Sequence, residues 1–187
     1  MKAKKLVIAS IPLVIFVTLV FVFKSSLNND PRKLETKLID NQVPTFKLAS
    51  VNNPERVLTN ADLPKEIFLL NVWGTWCVSC YAEHPYLMKF AKEYSIKWVG
   101  MNYKDTHKNA IEYLQKYGDP FIYSIADTDG RMGIDLGVYG APETFIVDQN
   151  GVIRDRHVGV IDDRVWNNII VPKLKSIGWE PVKMEKK

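Results

Sequence analysis

Residues 67–84 read IFLLNVWGTWCVSCYAEH, an apolar run followed by a closely spaced cysteine pair. Its first seven positions are apolar except at Asn71, a pattern that fits a strand covered on both faces better than one with a solvated side. Gly74-Thr75-Trp76 forms a break, and a helix is predicted from about Cys77 to Tyr94, with Pro85 too deep for a first-turn proline and expected to kink it. Cys77 then sits at a helix N-terminus, where unpaired N–H groups and the macrodipole favour a thiolate. It is read as the attacking thiol and is expected to be exposed. Cys80, one turn further and shielded, is placed to resolve a mixed disulfide from the protein side.

These are the only two cysteines in 187 residues, so a disulfide-stapled scaffold is excluded. A zinc site needs four ligands, and His84, His107 and His157 form no second half-site, so no metal is expected. Haem attachment needs histidine directly after the second cysteine, and Tyr81 stands there. Peroxidatic cysteines usually follow a hydroxyl three residues earlier, a position held here by Gly74.

Downstream, KWVGMN (97–102) reads as a second buried strand, a helix follows over about Lys108–Tyr117, and Gly118 and Pro120 close it. FIYSIAD (121–127) is a short strand and residues 131–136 a short helical turn. ETFIVD and VIRDRHV flank Gln149-Asn150-Gly151, a strong hairpin signal. An amphipathic helix is predicted for residues 163–177, with Val165, Trp166, Ile169, Ile170 and Leu174 on one side. The predicted class is therefore α/β: a thioredoxin-like mixed β-sheet flanked by helices on both faces.

At the N-terminus, Leu6 to Phe23 is an uncharged apolar run of eighteen residues, which as a helix spans about 27 Å. An N-terminal transmembrane helix is expected. The run exceeds the usual core of a cleaved signal peptide, the competing reading, and no A-x-A site follows it. The predicted organisation is a cytoplasmic N-terminus and anchor over residues 1–24, a polar linker over 25–39 and a folded domain over 40–187. At 47% hydrophobic and 25% charged, the chain excludes disorder as its overall description. Lys2, Lys4, Lys5 and Lys24 account for the whole formal charge of +4, so no nucleic-acid partner is expected.

LLNVWGTWCVSCYAEH (69–84), VGMNYKD (99–105), LGVYGAPETFIVD (136–148) and RHVG (156–159) together resemble the membrane-anchored thiol:disulfide interchange proteins of the DsbE/CcmG family. The resemblance implies a thiol-disulfide oxidoreductase of the bacterial periplasm, anchored in the inner membrane by one helix. It implies a redox-active Cys77–Cys80 disulfide and no cofactor. Its clients would be apocytochrome c or a CxxC-bearing maturation partner, reduced before haem attachment, and a membrane thiol transporter of the DsbD/CcdA type would re-reduce it. A broader periplasmic reductase and a non-catalytic binding module are the alternatives. The resemblance further assigns Pro142 as a cis proline facing the cysteines, and Trp76, Tyr139, Ala141 and Glu143 to the substrate groove. Asn71 takes the place where thioredoxins keep a buried aspartate, so Glu83 is the first candidate for the acid that handles the proton and Glu143 the second. For Glu83 a solvated helix face is the alternative. His84 is read as a surface or packing residue and Trp166 and Trp179 as core; Asp105 is read as helping to shape the groove or, more simply, as a helix N-cap. Val78-Ser79 and Tyr81 depart from relatives that carry proline inside the pair and a basic residue after it.

Overall fold

The structure, a computed structural model, describes the backbone of Lys2–Leu27, with side chains for residues 11–24, and all of residues 38–182. Two compact units divide the chain, Met1–Glu35 and Thr36–Lys187. Among the described residues the first contains one helix, α1 (Lys2–Leu27), whose large apolar side chains from Ile11 to Phe23 are exposed. Its one hydroxyl in that stretch, Thr18, donates back to the Val14 carbonyl at 2.8 Å. Among the described residues no helix is long and apolar enough to cross a membrane, and the side chains of residues 2–10 are outside them. The predicted linker falls mainly on residues 28–37, which are also outside the described residues.

The second unit is built on a five-stranded sheet. Its strands are β3 (Phe68–Trp73), β4 (Lys97–Tyr103), β5 (Tyr123–Asp127), β6 (Glu143–Val147) and β7 (Ile153–Val158), in the spatial order β5-β4-β3-β6-β7. β3, β4 and β5 run parallel, while β6 and β7 are antiparallel to their neighbours. Every residue of β3 is buried, as its unbroken apolar run requires of a central strand. The parallel pairs are joined by α2 (Val78–Glu93) and α3 (His107–Tyr117). Because right-handed crossovers that advance in one direction fall on one side of a sheet, both helices pack on the same face.

Alternation along β3 separates two cores. Leu69 and Trp73 point into a cluster with Leu87 and Phe90 of α2, Tyr113 and Leu114 of α3, and Trp166, Ile170 and Leu174 from the C-terminal segment. Phe68, Leu70 and Val72 point to the other face, where Val43, Leu58, Met132 and Leu136 cover them. That second face is closed by a small antiparallel ribbon, β1 (Lys47–Ala49) with β2 (Val57–Thr59), and by α4 (Arg131–Asp135). The ribbon was not expected; each of its strands has only three residues, too few for a period to register.

Two predicted elements differ in detail. The β6–β7 hairpin forms, but not with the two-residue turn that Asn-Gly favours, which needs positive φ at both residues. Only Gly151 is left-handed (φ +78°), its N–H donates to the Asp148 carbonyl, and the register shifts at Ile146/Val147. The predicted C-terminal helix is continuous but not uniform: α5 (Asp163–Val165) and α6 (Val171–Ser176) flank a π-helical turn over Trp166–Ile170. Pro172 has no N–H and its ring crowds the carbonyl four residues back; widening the preceding turn, so that Val171 N donates to Trp166 O, relieves that crowding.

Candidate active site

Cys77 ends the turn after β3 and is the N-cap of α2, with its Sγ accepting from the Cys80 N–H at 3.1 Å. Cys77 and Cys80 form a disulfide with their Cα atoms 5.3 Å apart. Each residue is only 4% exposed, so the expected exposure of Cys77 is not present in this oxidised state. The reason is the loop that precedes β6: the Ala141–Pro142 peptide is cis, and the Ala141 carbonyl oxygen stands 3.2 Å from Cys77 Sγ. Trp76 (51% exposed) and Val78 (84%), the chain neighbours of Cys77, and Tyr139 (72%), in the loop that carries Ala141, are exposed apolar side chains.

Glu83 lies on the inward side of α2 and is 1% exposed, which overturns the solvated-face alternative. Its Oε1 accepts from the Ile161 N–H at 2.9 Å and its Oε2 from Asn71 Nδ2 at 3.1 Å. Asn71 also donates to Thr144 Oγ1 at 3.0 Å, its cross-strand partner in β6. Burial raises the proton affinity of Glu83 until its pKa reaches about 7, the two hydrogen bonds opposing only part of that rise.

Glu143, expected to line a substrate groove, is buried, at 1% exposure. Its Oε1 accepts from the N–H groups of Tyr139 and Gly140 (2.9 and 3.1 Å), and its Oε2 pairs at 2.5 Å with Arg156, whose side chain is 4% exposed. The Arg156 guanidinium lies 5.1 Å from the centre of the Tyr139 ring. Glu143 therefore holds the Tyr139–Pro142 loop from below. Arg156 was not singled out from the sequence: Arg154 and Arg156 have the same strand parity, and nothing local marks which is buried.

Asp105 is not the N-cap of α3; Thr106 is, with its Oγ1 accepting from Asn109 N–H. Asp105 instead accepts from the Thr75 N–H and hydroxyl, in the turn before Cys77. His84 is a packing residue, its ring edge-on to Tyr113 and its Nε2 3.0 Å from the Gly118 carbonyl oxygen. Trp166 and Trp179 are core, as expected. Among the described residues no His, Cys, Asp and Glu cluster could hold a metal ion.

A cysteine pair at a helix N-terminus, facing a cis-proline loop and with a buried carboxylate on the same helix, is equipped for disulfide exchange. The Redoxin family matches residues 39–170. Thiol:disulfide interchange protein DsbE of Allochromatium vinosum is 46% identical over 164 residues, covering 88% of this chain and 91% of its own. The protein of the same name from Pseudomonas aeruginosa is 46% identical over 178 residues, covering 95% and 98%, and that of Escherichia coli K12 44% identical over 182 residues, covering 92% and 94%. The chain belongs to the DsbE family of thiol:disulfide interchange proteins. As a DsbE-family protein it is a thiol-disulfide oxidoreductase. Its fold is shared with a thio-disulfide isomerase from Thermus thermophilus (TM-score 0.60, 22% identity, 76% of this chain and 98% of that one). A secreted thiol-disulfide isomerase from Corynebacterium glutamicum is similar too (TM-score 0.58, 19% identity, 79% and 96%).

Proposed function

We propose that this DsbE-family chain is a periplasmic reductase of cysteine pairs in apocytochrome c, or in a CxxC-bearing protein that delivers it, acting before haem is attached. The arrangement that carries the reading is the Cys77–Cys80 disulfide at the head of α2, facing Ala141 and Pro142 with Glu83 buried behind it. In the reduced protein the Cys77 thiolate attacks one sulfur of the client disulfide, and the departing client thiolate takes a proton. Cys80, deprotonated, then attacks Cys77 Sγ; the second client thiolate leaves, and the protein ends oxidised by two electrons. Glu83, with a pKa of about 7, is the base for the Cys80 proton at neutral pH. Trp76, Tyr139 and Ala141 line the client groove, and Glu143 shapes it through the loop. Two electrons from a membrane thiol transporter of the DsbD/CcdA type restore the dithiol.

In this reading residues 1–24 carry a cytoplasmic N-terminus and the anchor, residues 25–39 the tether and residues 40–187 the catalytic domain. The uncharged run Leu6–Phe23 within the 26-residue helix α1 supports a single inner-membrane span. Protein extracted from membranes should begin at or near Met1 and resist alkaline carbonate; a soluble form starting beyond Lys24 would remove the anchor from the proposal. The client is tested by replacing Cys77 and Cys80 with serine in cells that carry no other copy. Loss of c-type cytochromes that returns on adding an external thiol supports the proposal, and unaltered cytochromes with unreduced cysteines in other periplasmic proteins points instead to a broader reductase.

A further inference from the structure

The turn before Cys77 is held from outside its own helix. Tyr103, Lys104 and Asp105 form a bend after β4, in which Lys104 takes a left-handed backbone (φ +49°) uncommon for a residue with a β-carbon. Lys104 N–H donates to the Asp127 carbonyl at 2.9 Å, which fixes the bend. The bend aims two acceptors at the cysteine turn. The Tyr103 carbonyl accepts from Trp76 Nε1–H at 2.9 Å, and Asp105 accepts from Thr75 N–H at 2.6 Å and from its hydroxyl at 2.9 Å. Asn102 Nδ2 (3.1 Å) and Thr106 N–H (2.7 Å) complete the set around Asp105, which is 7% exposed.

Four donors and no acceptor face this side chain. A carboxylate offers acceptor sites to all four, whereas an asparagine would turn its own NH2 toward two of them. The chemistry of the position thus calls for a negative charge, hydrogen-bonded to the residue two before Cys77. A like charge near a thiol disfavours the thiolate, opposing the pull of the α2 N-terminus. Other titratable groups on elements packed around Cys77 are Glu83 and His84 on α2, with Lys89, Lys92 and Glu93 further along that helix, and the Glu143–Arg156 pair under the Ala141 loop, while Lys104 turns its Nζ over the Tyr103 ring at 5.0 Å.

We propose that Asp105 is a positioning residue for disulfide exchange, fixing the Thr75–Cys77 turn and, through its charge, raising the proton affinity of Cys77. Less thiolate stabilisation in the reduced form makes the pair a stronger reductant. The inference rests on the reading of Cys77 as the attacking thiol.

The test titrates thiolate absorbance of the full-length reduced protein, with limited alkylation and peptide mapping to assign it, alongside a glutathione equilibrium. Asp105→Asn should lower the Cys77 pKa by about half a unit or more and move the equilibrium roughly threefold or further toward the dithiol. Asp105→Glu, which retains the charge, should leave both closer to the wild type. If Asp105→Asn does not fold, Thr75→Val supplies the answer: losing one donor leaves the carboxylate field less neutralised, and the Cys77 pKa should rise. An unchanged pKa in Asp105→Asn, equal shifts in the Asn and Glu variants, or a Thr75→Val value unchanged or lower overturns the inference and leaves Asp105 a brace between two loops. Labelling of Cys80 before Cys77 would instead overturn the assignment of the attacking thiol.

Discussion

Asn71, at the middle of the central strand, donates a 3.1 Å hydrogen bond to Glu83, one turn past the cysteine pair, and both side chains are buried. An amide therefore faces a carboxylate at the innermost point of the site. The amide can donate to the charged carboxylate but cannot share its negative charge, so Glu83 remains the sole ionisable group of this contact. Its environment then decides its proton affinity, and burial dominates.

Glu83 makes stability fall with rising pH. Its folded pKa of about 7 lies above its ordinary value of 4.5, so the folded state binds the proton more tightly than the unfolded chain does. The associated stability is complete below pH 4.5 and is lost as pH rises through 7, by an amount of at most about 3 kcal/mol. Glu83→Gln removes this slope. Urea unfolding between pH 4.5 and 8 should show the wild type losing stability relative to the variant; parallel curves would mean that Glu83 does not titrate in this window.

Much of the scaffold was legible because its signals are local. The apolar run 67–73, the turn glycines and the Asn150-Gly151 pair each mark an element by their own composition. What was not legible depends on partners far away in sequence. Glu83 has an ordinary helix-surface spacing, and only the approach of Asn71 and Ile161 makes it an interior acid. Glu143 next to Pro142 looked like a groove residue, yet its partner Arg156 lies on the next strand and draws it under the loop. The same holds for Asp105, whose position before a helix suggested a cap while its hydrogen bonds reach across to Thr75. Cys77 was placed by its helix, but its cover comes from Ala141, sixty-four residues on.

Arg156→Ala should be among the most damaging single changes in the domain. It leaves the Glu143 carboxylate buried with two backbone donors but no countercharge, a loss that costs about 3–5 kcal/mol when a buried pair is broken. The Tyr139–Pro142 loop should loosen with it. Denaturant unfolding gives the energy, and faster alkylation of Cys77 in the reduced variant would report the loop; a stability change under 1 kcal/mol would show the pair to be expendable.

Gly100 is required by close packing on the sheet rather than by backbone conformation. A β-carbon there would stand 2.9 Å from both Trp73 Nε1 and Phe121 Cδ2 and would collide with the Ser124 hydroxyl. Gly100→Ala should cost about 1–3 kcal/mol as overpacking. Gly100→Ala combined with Ser124→Gly, which clears the worst contact, should recover part of that loss in thermal unfolding; no recovery would place the strain at the two aromatic rings.

Replacing the amide that faces Glu83 provides the sharpest test of the buried acid. Asn71→Asp sets a second carboxyl group against Glu83 where a donor now stands at 3.1 Å, so the two cannot both ionise without a large cost and must share a proton. Thr144 Oγ1, which now accepts from Asn71, can turn its own hydrogen toward the new group. The variant should be nearly as stable as the wild type at pH 4.5, where both carboxyls are protonated, and should lose stability more steeply than the wild type above pH 6. Adding Glu83→Gln removes one of the two charges and should restore much of the stability at pH 8, a non-additive recovery that two independent sites would not give. If the double variant at pH 8 is destabilised by the sum of the single effects, Asn71 and Glu83 are not coupled, and the hydrogen bond between them does not govern the site.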